Sequence, residues 1–508
     1  MPKSEVKSGA IISYVLIVAE LLVGLLFTPY LLRILGKPEF GVYNVIGAFV
    51  GMLAVLDFGV GVAIQRYIAR YRALGADRRE ENNFLAMCAV IYGIIIAAVL
   101  AIGTGLYFFI EPMFAQNPEF TEHIGRMQFM YKIAIYTIII TLLSQGTSGI
   151  LAGVEKFVFP KFIRILRIVL RVVAIVVMLN MGFLSEAIVL VDAALITLLF
   201  IAEVIYCFGV QKFRMKLYKF DKPLFKETMQ YSVFIFIQAI VIQVNTRIGN
   251  LIMGRWCTKE AVADYTLAVQ IYTIFANIAN ALATIFLPRV SRINTQPDKE
   301  RHLSDLMIRV GRIQLMLLGI VLVGFLSVGR EFVDLWTGSA SPAVWLSTVL
   351  LMSAIFLPLV QSIGVSIIAA QNKQAFRAAV FSIMAVVNVI ITVLLVRPMG
   401  AVGAAIGTSV TVFIGNFVIL SIYYSKVMRL EMKRFYKETF AKILPCLVLS
   451  AAVGLATTYF LPQGNWLYFA VKVAIICVVY IALILLYGAN QSEKKLLSSM
   501  VLRRSGKK

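Results

Sequence analysis

Residues 155–171 read EKFVFPKFIRILRIVLR, and they run on into the apolar segment 172–181. A helix rises about 1.5 Å per residue, so one that enters lipid near Phe162 carries Arg171 about 14 Å deep. That depth is close to the middle of a hydrocarbon core about 30 Å thick. Arg164, Arg167 and Arg171 stand at i, i+3 and i+7, so they share one face of the helix. The stretch predicts a membrane-spanning helix with a charged face.

The charge on this face decides what the helix packs against. A guanidinium does not lose its proton, and a charge at mid-membrane costs at least about 2.5 kcal/mol. Arg164 lies close enough to the cytoplasmic edge to extend its side chain into water, and Arg167 fits either that arrangement or a buried one. Arg171 is too deep for this escape, so we expect the face to line a polar cavity inside the protein.

The composition of the whole chain is that of a membrane protein. Of its 508 residues, 60% are hydrophobic and 15% are charged, and the mean hydropathy is +0.88. About fourteen apolar stretches approach the roughly 20 residues that a helix needs to cross a bilayer. The stretches are continuous and lack period-2 alternation, which favours helices over barrel strands. The sequence therefore predicts an all-α polytopic membrane protein.

The formal net charge of +22 is explained by where the basic residues lie. The segments on the side of the two termini hold roughly 36 lysines and arginines, and the opposite side holds roughly 8. This bias follows the positive-inside rule and predicts that both termini lie in the cytoplasm. The basic residues are explained by topology, so we expect no nucleic-acid partner.

Sequence motifs for covalent chemistry are absent. The chain contains no G-x-x-x-x-G-K-[ST] loop for ATP, no H-E-x-x-H zinc motif and no nucleophile elbow. The five cysteines are scattered and fit small apolar residues better than a disulfide or metal site. The longest outer loop, from Glu111 to Arg126, is too short to form a transferase or polymerase domain. We therefore expect a transporter that is not an enzyme and binds no metal cofactor.

A pattern near the N-terminus resembles a known family. Residues 29–43 read PYLLRILGKPEFGVY, residues 56–61 read LDFGVG and residues 66–71 read RYIARY. Together they resemble the opening of the bacterial polysaccharide flippases, the O-antigen and oligosaccharide-unit exporters of the multidrug/oligosaccharidyl-lipid/polysaccharide exporter superfamily. The resemblance implies export of a polyprenyl-pyrophosphate-linked oligosaccharide from the cytoplasmic to the outer leaflet by alternating access, coupled to H+ or Na+.

The same resemblance implies a location and a set of partners. The location is the cytoplasmic, or inner, membrane of a bacterium, with membrane lipids around a monomer. The pathway partners are polysaccharide polymerase and glycosyltransferases. O-antigen, teichoic-acid and exopolysaccharide units all remain open as the transported unit.

An internal repeat indicates two lobes. The stretch 150–157, which follows Gln145, resembles the stretch 367–374, which follows Gln361, at a shift of about 217 positions. A common register over spans 1–6 and 7–12 implies two six-helix lobes in parallel orientation, followed by two extra C-terminal helices. We therefore predict an N-terminal lobe at 1–208, a C-terminal lobe at 209–424, and a helix pair with a basic tail at 425–508.

The substrate site is predicted from polar side chains inside spans. Arg247, in the seventh span, would match Arg171 and give each lobe one deep arginine. Planar guanidinium groups bind phosphate through two parallel hydrogen bonds. We expect the diphosphate of the substrate to be bound by Arg164, Arg167, Arg171 and Arg247. Gln238 and Asn245 are predicted as further substrate-binding residues. Hydrogen bonding between spans is the alternative role of the two amides.

Ion coupling is predicted at two carboxylates. Glu20 lies in the middle of the first span, and Asp57 lies toward the cytoplasmic end of the second. A carboxylate inside a membrane protein can exchange a proton or bind sodium. Each also has an alternative role, since Glu20 can neutralise a neighbouring arginine and Asp57 can end the second helix beside Gly59.

Two other functions fit parts of the sequence. A cation-coupled multidrug or metabolite antiporter of the same superfamily is one, but it should carry a cavity rich in carboxylates, whereas this chain has an arginine face. A membrane glycosyltransferase or polysaccharide polymerase is the other, and the short outer loops argue against it.

Overall fold

The computed structural model describes most of the chain. It covers residues 3–54, 59–73, 77–156, 158–223, 225, 243–244, 247–294, 296–371, 373–491 and 493–494. Within these ranges every regular element is a helix. The prediction of an all-α polytopic membrane protein is confirmed, and the count of fourteen spans stays a prediction.

The N-terminal half forms eight helices. They are α1 (Lys3–Ala54), α2 (Val60–Ala73), α3 (Arg78–Phe114), α4 (Pro118–Thr121), α5 (Ile124–Gly153), α6 (Val158–Asn180), α7 (Ser185–Val204) and α8 (247–256). A π-helical turn, Ile205–Val210, follows α7 without a break.

The C-terminal half forms nine further helices. They are α9 (Lys259–Ile293), α10 (Lys299–Thr337), α11 (Pro342–Val360), α12 (Ile363–Ala370), α13 (Gln374–Val412), α14 (Leu420–Lys426), α15 (Met432–Phe440), α16 (Ile443–Phe460) and α17 (Trp466–Leu483). Two π-helical turns occur here, one joining α13 to α14 and one at the end of α17.

Within the described residues, nine helical segments are long and apolar enough to cross a membrane. One of them, Gln374–Lys426, has 53 residues, which as a straight helix would measure about 80 Å and exceed two bilayer cores. The backbone of Gly400 breaks it with φ 54° and ψ −129°. Gly36 breaks α1 in the same way, with φ 74° and ψ 162°. Each of these two segments therefore contains a pair of the spans predicted from the sequence.

Contacts divide the chain into two compact units, Met1–Thr266 and Leu267–Lys508. Each unit has its own buried apolar core. The predicted boundaries at 208/209 and 424/425 stay predictions.

Two buried ion pairs stabilise the C-terminal unit. Lys472 on α17 donates to Glu331 on α10 at 2.6 Å, and their side chains are 0% and 4% exposed. Arg312 on α10 makes a two-pronged pair with Glu493 at 2.7 and 2.8 Å, beyond the end of α17. The first pair joins α10 to α17 and the second joins α10 to the segment that follows α17, so this end of the chain packs through charge as well as through apolar contacts.

We expect the Lys472→Met variant to be less stable than the wild type by about 3–5 kcal/mol, because it leaves the Glu331 carboxylate buried without its cation. Thermal unfolding of the purified protein in detergent measures this. The double variant Lys472→Met/Glu331→Leu removes both charges and should recover much of the loss. Lys433→Met, at an exposed position on α15, is the matched control. An unchanged melting temperature for Lys472→Met would contradict the role given to this pair.

Candidate functional site

The charged face predicted from the sequence lies on α6, which forms a hairpin with α7. The helix α6 ends at Asn180 and α7 begins at Ser185. In such a hairpin the helices run antiparallel, so residues about equally far from the turn face each other. Arg171 lies nine residues before the end of α6, and Asp192 lies seven residues after the start of α7.

Arg171 and Asp192 form a two-pronged ion pair across this hairpin. The Nε atom of Arg171 donates to Oδ1 of Asp192 at 2.6 Å, and its Nη2 atom donates to Oδ2 at 3.0 Å. Paired hydrogen bonds of this kind are among the strongest that a protein makes. The two side chains are 27% and 20% exposed, so the pair is held in place but is still accessible from outside the protein.

The rest of the charged face has too few carboxylates to neutralise it. Arg167 Nη2 lies 3.9 Å from Asp192 Oδ1, and Arg164 is exposed. The charges that act on Arg167 are those of Asp192, Arg171 and Arg164. One carboxylate therefore serves three arginines, and the face keeps a net positive charge.

Two further helices bring side chains to this face. Tyr43 of α1 places its hydroxyl beside the Arg171 guanidinium, within electrostatic range of Asp192 and Arg247. Arg247 of α8 lies against α1, since a Cβ at Gly51 would be 3.4 Å from its Cγ and Nε atoms. The described residues thus gather Tyr43, Arg167, Arg171, Asp192 and Arg247, and we name this group the arginine site.

The motif at residues 29–43 of α1 supports the arginine site. Gly36 adopts the left-handed φ that favours glycine and kinks the helix. Lys37 pairs with Asp264 at 3.0 Å. At Gly41 a side chain would collide with the carbonyl oxygen of Lys259, so only glycine permits this close approach. These contacts fix the helix that carries Tyr43.

Glu39, also in the motif, connects α1 to α5 and α7. Its carboxylate is 8% exposed and accepts from Arg126 Nη1 at 2.8 Å. It also accepts from the hydroxyl and the backbone N–H of Ser185. Because Ser185 is the first residue of α7, these bonds satisfy a backbone donor that would otherwise be unpaired at the helix start. They position the helix that carries Asp192.

The end of α8 is held by the connection between α3 and α5. Asn117 donates to the carbonyl oxygens of Gly254 and Cys257 at 3.0 and 2.9 Å. Nearby, burial and then the charge of Lys259 lower the pKa of His123. The Lys259 ammonium lies 3.1 Å from His123 Nε2, an arrangement that suits a neutral ring accepting from the ammonium.

The structure brings some of the predicted site residues together and leaves others apart. It brings Arg167, Arg171 and Arg247 together and leaves Arg164 exposed on the same face. Glu20 is exposed on α1. Gln238, Asn245 and Asp57 lie outside the described residues. Their predicted roles all stay predictions.

Sequence reasoning did not pair Asp192 with Arg171, although a signal for the pair was present. The two residues lie at similar distances from the turn at residues 181–184, as described above, and opposite charges in that arrangement indicate an ion pair. A second carboxylate, Glu203 of α7, was not identified from the sequence, and it is buried among hydroxyl groups of α5.

Known proteins similar to this chain were found by sequence and by structure. Residues 6–294 match the family described as Polysaccharide biosynthesis protein. A protein of Shigella flexneri named "Putative O-antigen transporter" is 22% identical over 405 residues, which cover 78% of this chain and 92% of that protein. The "Probable low-salt glycan biosynthesis flippase Agl15" of Haloferax volcanii is 21% identical over 407 residues, 79% of each chain.

The solved structure of the lipid II flippase MurJ in an inward closed conformation has the same fold. The TM-score is 0.72 at 16% identity, and the match covers 94% of this chain and 97% of that one. These comparisons confirm the resemblance found in the sequence. The curated relatives are named as a transporter and a flippase, which agrees with the prediction that the chain is not an enzyme.

We expect Glu39→Gln to reduce the free energy of unfolding by about 1–3 kcal/mol, because Arg126 loses its charged partner and the bonds from Ser185 then go to a neutral amide oxygen. Thermal unfolding in detergent measures the change. Glu122→Gln is the matched control, since Glu122 is exposed in the connection between α3 and α5. Equal melting temperatures for Glu39→Gln and Glu122→Gln would show that Glu39 does not stabilise this region.

Proposed function

The chain belongs to the polysaccharide biosynthesis protein family, and from this premise we propose that it is a flippase for polyprenyl-pyrophosphate-linked oligosaccharide. It moves the lipid-linked unit from the cytoplasmic to the outer leaflet by alternating access. The observation that carries the proposal is the arginine site, a positively charged group of side chains on α1, α6, α7 and α8, of which α1 and α7 contain segments long and apolar enough to cross a membrane.

The geometry of the arginine site suits a diphosphate. A guanidinium binds phosphate oxygens through the same two-pronged arrangement that Arg171 makes with Asp192. A diphosphate that reaches Arg171 therefore competes directly with Asp192 for the same donors. Arg167 lies within 3.9 Å of the Asp192 carboxylate, so it can keep that carboxylate paired when Arg171 is taken by the cargo.

The charge of the site argues against a cationic cargo. Within the described residues, three arginines and one carboxylate form the site. A drug or metabolite cation would meet net repulsion there, and repulsion in a low dielectric is stronger than in water. The antiporter alternative is therefore the weaker of the two transport functions.

An enzymatic function finds little support in the loops that the structure describes. The longest predicted outer loop, Glu111–Arg126, holds the end of α3, the four-residue helix α4 and the start of α5. Such a segment has no room for a catalytic domain. The glycosyltransferase or polymerase alternative would need that domain.

Ion coupling, topology and partners complete the proposal. Glu20 and Asp57 are proposed to exchange H+ or Na+ during transport, and both termini are proposed to lie in the cytoplasm. The chain is a multi-pass membrane protein, and we propose the cytoplasmic membrane as its location. The pathway polymerase and glycosyltransferases would deliver and consume its substrate.

The decisive test is transport of a fluorescent polyprenyl-diphosphate oligosaccharide by the purified protein in proteoliposomes. We expect Arg171→Ala to lose two charge-assisted hydrogen bonds to the diphosphate, each worth about 1.5–3 kcal/mol, and to lower the flipping rate at least about 100-fold. Arg171→Lys keeps the charge but not the two-pronged geometry, so it should retain only part of the activity.

Arg330→Ala is the matched control, because it removes an arginine at an exposed position on α10. Wild-type flipping by a folded Arg171→Ala protein would refute the assignment of the arginine site. A wild-type protein that exchanges small cations for protons but moves no lipid-linked sugar would replace the flippase proposal with the antiporter.

A further inference from the structure

A second polar centre lies on α7, apart from the arginine site. Glu203 stands in the last turn of the helix and is 3% exposed. It comes eleven residues after Asp192 in the sequence, which corresponds to about 16 Å along the helix axis. The separation is too large for the two carboxylates to share a ligand.

Three hydroxyl groups of α5 surround the Glu203 carboxylate. Ser144 Oγ and Thr147 Oγ1 each lie 2.7 Å from Oε2, and Ser148 Oγ lies 3.2 Å from Oε1. These residues stand at i, i+3 and i+4, so they share the face of α5 that meets α7. The result is a cluster of five oxygen atoms on two adjacent helices, which we name the hydroxyl site.

The hydroxyl site contains no basic side chain. Among the residues that the structure describes, the three hydroxyls are the only hydrogen-bond or ion-pair partners of Glu203. No lysine, arginine or histidine nitrogen of α1, α5 or α6, the described helices beside α7, lies within 4.0 Å of its oxygens. The neighbouring titratable group is the thiol of Cys207, whose Sγ lies 3.6 Å from the carbonyl oxygen of Thr147.

A carboxylate in this position needs a counter charge. Arg171 supplies one to Asp192, whereas none of the described residues supplies one to Glu203, and an isolated charge buried in a membrane protein is strongly disfavoured. A hydroxyl both donates and accepts, so the same three groups can surround either the ionised carboxylate or its protonated form. Five oxygens with a single negative charge suit a small, hard, monovalent cation.

We propose that the hydroxyl site, made by Glu203, Ser144, Thr147 and Ser148, binds a small monovalent cation, H+ or Na+. It differs from the coupling sites proposed from the sequence, which are Glu20 and Asp57. Na+ is bound by the hydroxyl oxygens of Ser144 and Thr147 and neutralised by Glu203. H+ is bound by the Glu203 carboxylate itself, with the hydroxyl groups as hydrogen-bond partners.

The backbone next to the hydroxyl site forms a π-helical turn. The π-helical turn Ile205–Val210 begins two residues after Glu203, and π-helical turns inside helices occur often at functional sites. Tyr206 in that turn stacks on Phe159 of α6 with ring centroids 4.0 Å apart. A movement of this turn would therefore reach both α6 and α7, the two helices that form the Arg171–Asp192 pair.

The coupling role of the hydroxyl site rests on the proposed flippase function, whereas cation binding does not. Binding is therefore tested without transport, on the purified protein in detergent. Binding of radioactive Na+ detects a sodium site, and the carboxyl band in infrared difference spectra detects a protonated carboxyl group. The variants are Glu203→Gln and Thr147→Val, and Thr141→Val is the matched control.

We expect one of the two signals in the wild type and its loss in Glu203→Gln. Thr147→Val should weaken Na+ binding at least about tenfold, or shift the titration of the carboxyl band, because it removes one oxygen from the site. Thr141→Val should behave as the wild type, because the Thr141 hydroxyl bonds to the carbonyl of Thr137 on its own helix. Absence of both signals, or their persistence in Glu203→Gln, would overturn the proposal.

A transport experiment then tests the coupling role of the hydroxyl site separately from the flippase function. If the wild type flips lipid-linked oligosaccharide in response to an imposed H+ or Na+ gradient, Glu203→Gln should lose at least about tenfold of the stimulation by the gradient, and the control Thr141→Val should keep it. Unchanged stimulation in that variant would refute the coupling role. Cation binding without any flipping by the wild type would refute the flippase function and leave the hydroxyl site in place.

Discussion

The structure depends on the rule that a charge inside a membrane protein must meet a partner. Arg171 meets Asp192 on the next helix of a hairpin, and Lys472 meets Glu331 on a helix far away in the sequence. Breaking such a pair leaves an uncompensated buried charge, at about 3–5 kcal/mol. Apolar helix faces can pack against each other in many registers, but each ion pair forms in only one of these registers. The charged residues thus specify which helices are neighbours, and the apolar residues supply most of the packing.

The same rule explains the motif at residues 29–43, which resembles the family. Glu39 is nearly buried, and it is neutralised by Arg126 while it binds the first residue of α7. Gly36 kinks α1 three residues before Glu39. Gly36 and Glu39 therefore have structural roles. The last residue of the motif, Tyr43, lies beside Arg171, so the motif also connects this kink to the arginine site.

Much of this could be predicted from the sequence, because composition, span length and charge bias are properties of single segments. The arginine face followed from the spacing of Arg164, Arg167 and Arg171 on one helix. Asp192 was missed because its role depends on the neighbour that a hairpin supplies. Glu203 was missed for a stronger reason, since its burial depends on α5, some 55 to 59 residues away in the chain. Hydroxyl groups are too common in spans to identify such a partner by spacing alone.

The two polar centres of α7 can influence each other through direct electrostatic interaction or through movement of the helices. The size of the electrostatic energy shows how much each route can contribute. At about 16 Å and an effective dielectric constant near 20, two unit charges interact by about 1 kcal/mol, or roughly fivefold in affinity. Coupling between sites in proteins typically amounts to about 1–3 kcal/mol. Direct attraction between a cation at Glu203 and an anion at Arg171 therefore accounts for weak coupling only. Strong coupling requires a change in how α6 and α7 pack, and the π-helical turn at Ile205–Val210, stacked against α6 through Tyr206, is the element placed to allow it.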